Sequence, residues 1–309
     1  MRNSLRQRSY RYRNTGSVLI VCLWTLVFFS ILSTGLFNIV SSQMNMARAV
    51  EERAISKYLA KAASGYAIAE RQAGKKSYDN LYDLTTERVK EIGRGKYIYH
   101  FLDEEAKINI NTAVKDILER LPGFDSSLAD AVLEYRQEKE SHKFDLTEEL
   151  LFVDGFTPGV YNKCRDYITV YSDSKINMNT ASVDVFYALG FDKQLAETIR
   201  EYRMGSDGEE GTIDDRYFES TDQIAVKLNE FKGLSEQQVE DLQKAVGLSR
   251  VSVATKELSV FIETSILGRP STKYNVIIVA EKPEAVEVPE GGEQVDVKEQ
   301  VKIKKWTEY

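Results

Sequence analysis

Apolar residues form one uninterrupted run near the start of the chain. From Ser17 to Val40, 24 residues follow one another without a charged side chain, and the nearest charges are Arg13 and Arg48. A helix of that length is about 36 Å long at roughly 1.5 Å per residue, which is enough to cross a hydrocarbon layer of about 30 Å. The pattern predicts a transmembrane helix at residues 17–43 and disfavours a buried helix of a soluble protein.

The helical pattern continues beyond this run with a different distribution of polar residues. Residues 44–72 contain no proline and are rich in Ala, Glu, Lys and Arg, which favour helices. Small and apolar residues recur at helical spacing in one stripe, with charged residues off it: Val50, Ala54, Tyr58, Ala62, Gly65 and Ala69. We expect one long helix, half membrane span and half spine, whose stripe lies against a sheet or a neighbouring helix.

The clearest internal signal is a repeat between residues 107 and 250. The segment KININ-Thr-Ala at 107–113 recurs as KINMN-Thr-Ala at 175–181, and the match continues through a glycine and a second helix. In each copy the Asn-Thr stretch is expected to cap a short helix, because short polar side chains accept hydrogen bonds from free backbone N–H groups. The predicted cap residues are Asn109, Asn111 and Thr112 in the first copy, and Asn177, Asn179 and Thr180 in the second.

Each copy, near 107–137 and 175–204, is predicted to be a helix-hairpin-helix unit. Gly123 or Gly190 is placed to end the first helix at a position that tolerates a positive φ. A weaker unit of two helical pieces follows each copy. The region 107–250 is therefore expected to be an all-α domain of four hairpins in two pairs.

Alternating or β-branched runs flank the helical region and predict strands. Residues 96–103 alternate aromatic with more polar positions, and residues 259–267 and 274–280 are rich in Val and Ile. Residues 301–309 alternate Lys with Val, Ile and Trp, which suits an exposed edge strand. Residues 281–299 are acidic and contain Pro and Gly, so they are interpreted as a mobile loop.

Charge is unevenly distributed along the chain. The 309 residues carry a formal net charge of −7, yet residues 1–16 hold five arginines and no acidic residue. Basic residues stay on the cytoplasmic side, so the N-terminus is expected inside and the rest of the chain exported. A secretory signal peptide has an apolar region of about 7–15 residues followed by an A-x-A-like site. The run here is longer and lacks that site.

Helix-hairpin-helix units often bind DNA phosphates through backbone N–H groups, but the charge of this region opposes that use. Residues 103–250 contain 31 acidic and 17 basic residues, a net charge of −14. Phosphate binding requires a basic surface, because counterion release provides most of the affinity. Both hairpin turns read Gly-Phe and lack an open Gly-x-Gly turn. We expect a scaffold that binds no nucleic acid, with a membrane-anchored DNA-binding protein as the less favoured alternative.

Candidate chemistry is sparse. Two cysteines and two histidines exclude a disulfide framework, a cysteine-based zinc site and a histidine-rich metal centre. No phosphate loop, nucleophile elbow or metal-binding histidine pair is present, so no catalytic residue is predicted. One acidic loop carries five carboxylates around two glycines: Asp207, Glu209, Glu210, Asp214 and Asp215. Such clustered oxygen ligands suit Ca²⁺, although the spacing is not that of an EF-hand, and a solvated acidic turn is the alternative.

These features together resemble one family. Gly16 before the apolar run looks like the cleavage site of a prepilin leader, with Ser17 as the first mature residue. With the two INxNTA repeats, the acidic cluster at 103–105 before the first of them and the terminal Trp-Thr-Glu, the chain resembles the K-type minor pseudopilins of the type II secretion system (general secretion pathway protein K). The resemblance covers about residues 10–281 and the last nine.

The resemblance implies an α+β fold. A long N-terminal transmembrane and spine helix precedes a pilin-like α/β core, into which the all-α domain of repeated helix-hairpin-helix units is inserted. The expected parts are a basic leader at 1–16, the transmembrane helix at 17–43, the spine and first part of the core at 44–106, the inserted domain at 107–250, and the remaining strands at 251–309. Val21 would stand where most pilin-like subunits have Glu, and the K-type family typically lacks that Glu.

The resemblance also implies a function. K-type pseudopilins are non-enzymatic proteins thought to cap the tip of a short periplasmic pseudopilus that serves export of folded proteins across the outer membrane. The implied partners are the I- and J-type minor pseudopilins, the major pseudopilin, the prepilin peptidase, the inner-membrane assembly platform and membrane lipid, and calcium and methylation are implied as well. The chain would cross the inner membrane once, with its N-terminus cytoplasmic and its C-terminal domain periplasmic. A minor pilin of a type IV pilus or competence system has the same first helix and stays an alternative.

Overall fold

The computed structural model describes residues 15–74, 76–281 and 300–309, and the chain divides into two compact units, Met1–Ile55 and Ser56–Tyr309. The helices are α1 (Thr15–Ala73), α2 (Leu81–Thr85), α3 (Lys115–Leu118), α4 (Ser126–Glu138), α5 (Pro158–Cys164), α6 (Val183–Leu189), α7 (Lys193–Arg203), α8 (Ile224–Lys232) and α9 (Glu236–Gly247). Short 3₁₀ helices lie at Glu104–Ala106, Thr147–Phe152 and Thr221–Gln223. The strands are β1 (Arg88–Ile92), β2 (Gly95–Asp103), β3 (Ile108–Asn109), β4 (Ile168–Thr169), β5 (Ile176–Asn177), β6 (Val251–Ser252), β7 (Glu257–Ile266), β8 (Arg269–Glu281) and β9 (Gln300–Glu308).

The described part of the first unit is the N-terminal part of α1, which contains the apolar run. Within the described residues, one helix, Ser17–Ala73, has the length and composition to cross a membrane, with a mean hydropathy of 2.3 and no buried residue in its most apolar window. Trp24 and Phe37 are 68% and 70% exposed. Exposed apolar surface of this extent requires an apolar environment or partner.

In the second unit, α1 packs on the sheet through a narrow face. The buried residues of this face are Ser56, Leu59, Ala60, Ala63, Ser64 and Ala67. Ser56 Oγ lies 2.7 Å from Thr264 Oγ1 and 2.9 Å from the Tyr274 hydroxyl, so even the polar residue of the face has partners on the strands. Small side chains suit this face because the strands opposite present large aromatic rings.

The predicted small-residue stripe does not lie against the sheet. Tyr58 is 72% exposed, and Gly65 is exposed with nothing within 4 Å of an added Cβ. The prediction that this stripe contacts the sheet is wrong because small residues occur on two faces of the helix, and contact with a neighbouring helix stays a prediction. The sheet takes the face that carries Ala60, Ala63 and Ala67.

The sheet has five antiparallel strands in the order β1-β2-β7-β8-β9. Alternate residues of β2 are buried, including Tyr97, Tyr99 and Phe101, as the alternation predicted. β9 is an edge strand, also as predicted. β1 is the other edge strand and is joined to β2 by a turn at Gly93, whose φ is +59°. Residues 88–92 do not alternate between apolar and polar, so β1 was not predicted. Residues 282–299, nearly all of the predicted loop, lie outside the described residues.

The helical domain is inserted between β2 and β7 and has its own apolar core, which includes Leu118, Val132, Phe186, Leu195 and Leu228. Two short parallel pairings close it. β3 pairs with β4 and β5 pairs with β6, so each INxNTA segment begins as a short strand. Two helical pairs follow β3 and two follow β5. The second pair consists of the 3₁₀ helix Thr147–Phe152 and α5.

Candidate functional site

Each repeat is joined to the hairpin that follows it by one asparagine side chain. Asn111 Nδ2 donates to the Phe144 carbonyl at 3.0 Å, and the Phe144 N–H donates to Asn111 Oδ1 at 2.7 Å. Asn179 makes the same two bonds with Phe218, at 2.9 and 2.8 Å. We call each two-bond pairing an asparagine clasp. A side-chain amide fits this position because it offers a donor and an acceptor in one plane, as a neighbouring strand would.

An aromatic stack accompanies each clasp. The Tyr135 ring lies on the Phe144 ring with centroids 5.3 Å apart, and the Tyr202 ring lies on Phe218 at 4.9 Å. Both tyrosines come from the second helix of their repeat, α4 or α7. The repeated sequence therefore specifies a repeated contact between one hairpin pair and the next.

The last helical arginine of each repeat binds the carbonyl groups of the INxNTA segment. Arg136 Nη1 donates to the carbonyl oxygens of Ile110, Asn111 and Ala113 at 3.2, 2.9 and 3.2 Å. Arg203 Nη1 donates to the equivalent carbonyl groups of Met178 and Ala181, at 3.3 and 2.7 Å. The sequence analysis assigned these two arginines no role. Their recurrence near the end of the second helix of each copy, 67 residues apart, was the available signal.

The predicted cap role of the asparagine and threonine side chains is wrong. The N-cap of α3 is Val114, with no side-chain hydrogen bond, and the N-cap of α6 is Ser182. Asn109 Oδ1 and Asn177 Oδ1 instead accept from the backbone N–H two residues later, at 2.9 and 3.0 Å. These turns end before the helices start, because three or more residues still separate them from the first helical position.

The remaining predicted cap residues bind outside their own repeat. Thr112 Oγ1 lies 2.5 Å from Ser174 Oγ, and Thr180 Oγ1 donates to Asp103 Oδ2 at 2.6 Å. Asn177 Nδ2 donates to the same Asp103 oxygen at 2.8 Å. The second repeat is therefore tied directly to the end of β2.

The hairpin turns direct their backbone donors inward. The Phe124 N–H donates to the Leu121 carbonyl, and the Gly190 and Phe191 N–H groups donate to carbonyl groups of α6, each at 3.1 Å. Gly190 has a φ of +114° and ends α6 as predicted. Gly123, with a φ of +87°, lies beyond the end of α3. The bonded N–H groups are not directed at an external phosphate, and the net charge of −14 over residues 103–250 disfavours one.

The acidic loop is held by donors from within the loop and by two arginines. Asp214 Oδ2 accepts from the Ser206 hydroxyl and N–H at 2.6 and 2.7 Å, and these bonds hold the pKa of Asp214 below its usual range. Asp207 Oδ1 accepts from the Glu209 N–H at 2.8 Å. Glu210 binds Arg203 and, at 3.2 Å, Arg200 Nε.

This arrangement does not present a ready set of calcium ligands. Asp215 Oδ2 accepts from the Gly211 N–H at 2.7 Å, so donors already meet the carboxylates of Asp214, Asp215 and Glu210. No three acidic, histidine or cysteine side chains within the described ranges are grouped so that they could hold a metal ion. The predicted calcium site is thus untested, and an ion would have to replace several of these hydrogen bonds.

The predicted processing residues lie at the start of α1. Gly16 is the second residue of the helix, and Ser17 begins the helical segment with the composition of a membrane span. Cleavage between them stays a prediction.

A comparison with protein-family models shows a helix-hairpin-helix motif in the helical domain. Residues 103–169 match the family model for the helix-hairpin-helix motif, which covers β2's last residue to the end of β4. No curated protein matches the sequence.

The second comparison concerns the whole fold. The chain is similar to a chain in the crystal structure of the GspK-GspI-GspJ complex from the type 2 secretion system of enterotoxigenic Escherichia coli. The TM-score is 0.52 and the identity 14%, with 87% of this chain and 99% of that chain covered. The expected fold, a long apolar helix with an α+β core and a helix-hairpin-helix domain, is confirmed. The resemblance to K-type minor pseudopilins is thus supported at the level of the fold.

Proposed function

We propose that this protein is a minor pseudopilin that caps the tip of a type II secretion pseudopilus, helps to initiate its assembly, and thereby serves export of folded proteins across the outer membrane. The similarity of fold over 87% of the chain to a chain of the GspK-GspI-GspJ complex carries this proposal. The exposed apolar helix supports membrane anchoring, and the net charge of −14 over residues 103–250 argues against a nucleic-acid partner.

The proposal includes a location. The five arginines within residues 1–16 favour a cytoplasmic N-terminus, so α1 would cross the inner membrane once and residues after the span would be periplasmic. A prepilin peptidase would cut between Gly16 and Ser17, with methylation of the mature chain. The apolar Val21 suits a subunit with none ahead of it, because a carboxylate in lipid is costly unless it is paired.

The proposed role is assembly and not catalysis. The partners would be the I- and J-type minor pseudopilins, the major pseudopilin, the inner-membrane assembly platform and membrane lipid. The crystal structure with the similar fold is a complex of GspK, GspI and GspJ, which supports the choice of the first two partners.

The mature N-terminus and the co-purifying proteins test this function. We expect full-length chain expressed with its native neighbours to yield a protein that begins at Ser17 and co-purifies with two other minor pseudopilins. Gly16→Ala should leave Met1 in place. Gly35→Ala is the matched control in the same helix, since nothing lies within 4 Å of an added Cβ there. Recovery of an uncut chain that associates with no pilin-like protein would overturn the proposal.

The same preparation separates the alternatives. Co-purification with type IV pilins or competence pilins would assign the chain to that system instead. Tight binding to duplex DNA at moderate salt, with a steep salt dependence, would favour a DNA-binding protein.

We also propose that the loop Asp207–Asp215 binds Ca²⁺. Five carboxylates within nine residues support this, as do positive φ values at Gly208 and Gly211, which let the loop turn back on itself. Binding would require the carboxylates to exchange the donors that they have in this structure.

A further inference from the structure

Four acidic side chains are buried where the chain enters and leaves the helical domain. The chain enters through the 3₁₀ helix after β2 and returns through β6 into β7. Asp103, Glu104, Glu105 and Glu257 are 6%, 4%, 1% and 8% exposed. Buried carboxylates are costly unless donors or cations compensate them, so each needs an account of its partners.

Asp103 and Glu104 are well compensated. Asp103 accepts from the Glu105 N–H at 2.8 Å as well as from Asn177 and Thr180. Glu104 accepts from the hydroxyl groups of Thr169 and Ser259, and Lys107 Nζ lies 3.3 Å from it.

Glu105 and Glu257 are compensated differently. Glu105 accepts from the Lys256 N–H at 2.9 Å and the Ser252 hydroxyl at 3.0 Å, both on the returning strand. Glu257 Oε2 is buried with no hydrogen-bond partner among the described residues, and Glu257 directly follows Lys256, whose N–H binds Glu105. The neighbouring Glu105 carboxyl also acts on the pKa of Glu257. Two carboxyl groups can share a hydrogen bond only when one of them carries a proton.

The surrounding charges do not remove the need for that proton. Asp103 and Asp173 face Glu105 with the same sign. Lys256 and Lys304 face Glu257, but Lys256 Nζ is 3.1 Å from Asp173, and Lys304 Nζ is 3.4 Å from the Tyr171 carbonyl. Asp79, which acts on Asp103, is paired with Arg71. The cations nearest the pair therefore already have other partners.

We propose that Glu105 and Glu257 form a proton-dependent latch between the helical domain and the sheet. A shared proton joins the entering 3₁₀ helix to the first residue of β7, and loss of that proton places two buried negative charges against each other and opens the joint. The latch would set how firmly the helical domain is held on the core.

The direction of the pH effect follows from the burial. Burial raises the pKa of Glu105 from 4.5 to about 8 and also raises the pKa of Glu257. Between these two values the folded chain keeps a proton that the unfolded chain has lost. Stability from this joint is therefore fully present below about pH 4.5 and is lost as the pH rises toward 8.

Hydrogen exchange of the full-length chain in detergent micelles tests the latch. Peptides that cover residues 104–106 and 251–257 are compared with peptides from α7, at pH 6 and pH 9, after correction for intrinsic exchange rates. We expect protection of the joint peptides to be about 100-fold lower at pH 9 than at pH 6, because the joint loses stability over the two pH units between pH 6 and the pKa of Glu105, while α7 keeps its protection.

Glu105→Gln and Glu257→Gln should each remove the pH dependence and keep the joint protected at pH 9, because an amide donates without titrating. Glu134→Gln, the same change on an exposed position of α4, is the control and should behave as wild type. Either glutamine variant is sufficient should the other fail to fold. Equal joint protection at both pH values in wild type, or a parallel loss in α7, would overturn the proposal.

Discussion

The two repeats share the asparagine clasp and the binding of an arginine to carbonyl groups, but the surroundings of their arginines differ. Arg136 is half-buried, and within the described part of the chain no carboxylate pairs with it. Arg203 is 3% exposed and binds Glu210 in addition to its carbonyl groups. The second arginine thus connects the INxNTA segment to the acidic loop, and burial lowers the pKa of its guanidinium. Equivalent positions of the two repeats are therefore expected to contribute differently to the free energy of unfolding.

The largest expected difference is between the two arginines. Arg203→Ala should lower the free energy of unfolding by about 3–4 kcal/mol, because it leaves the buried carbonyl groups of Met178 and Ala181 without their donor and Glu210 with Arg200 alone. Arg136→Ala should cost about 1–2 kcal/mol, because water can reach its site. Urea unfolding of the full-length chain in micelles measures both.

Arg120→Ala provides a control. This arginine belongs to the first repeat, lines a cavity together with residues of the second repeat, and takes no part in either arginine site. Equal losses for Arg136→Ala and Arg203→Ala would show that burial and the Glu210 contact add nothing.

A smaller difference is expected between the two clasps. Asn179 is 3% exposed and also donates to the Val253 carbonyl at 3.2 Å, whereas Asn111 is half-buried. Asn179→Ala should cost about 2–3 kcal/mol and Asn111→Ala about 1 kcal/mol. The same unfolding measurement applies, with Asn162→Ala on α5 as a control. A larger loss for Asn111→Ala would reverse the order that burial predicts.

The smallest expected effect concerns calcium, since only the second repeat has the acidic loop. If the loop binds Ca²⁺, chelation should lower the Tm of the full-length chain by roughly 2–4 °C, equivalent to about 1 kcal/mol. Asp207→Ala combined with Asp214→Ala should abolish that dependence, and Asp154→Ala in the first pair should preserve it. The calcium site would be rejected if the Tm of the wild-type chain were the same with and without calcium.

Sequence reasoning succeeded where periodicity or repetition reports directly on structure. Alternation located β2, the Lys-rich alternation located the edge strand β9, and the 68-residue offset located the two hairpin pairs. It failed where a contact depends on residues distant in sequence. The asparagine side chains have the right chemistry for capping, but their actual partners, Phe144 and Phe218, lie 33 and 39 residues away.

The candidate site was less accessible from sequence for the same reason. The acidic loop is visible as a local composition, but its ties to Arg200 and Arg203 depend on the fold. Glu105 and Glu257 are 152 positions apart and belong to no motif. Only the return of the chain from the helical domain brings them together.

The two parallel strand pairings set the order in which the two halves of the helical domain can be completed during synthesis. β3 pairs with β4, so the first half has all of its strands once Thr169 has been synthesised. β5 pairs with β6, so the second half lacks its closing strand until Ser252 arrives, some 75 residues after β5. A chain that emerges N-terminus first can complete one half early, while the other half stays open until nearly the whole insertion has left the ribosome.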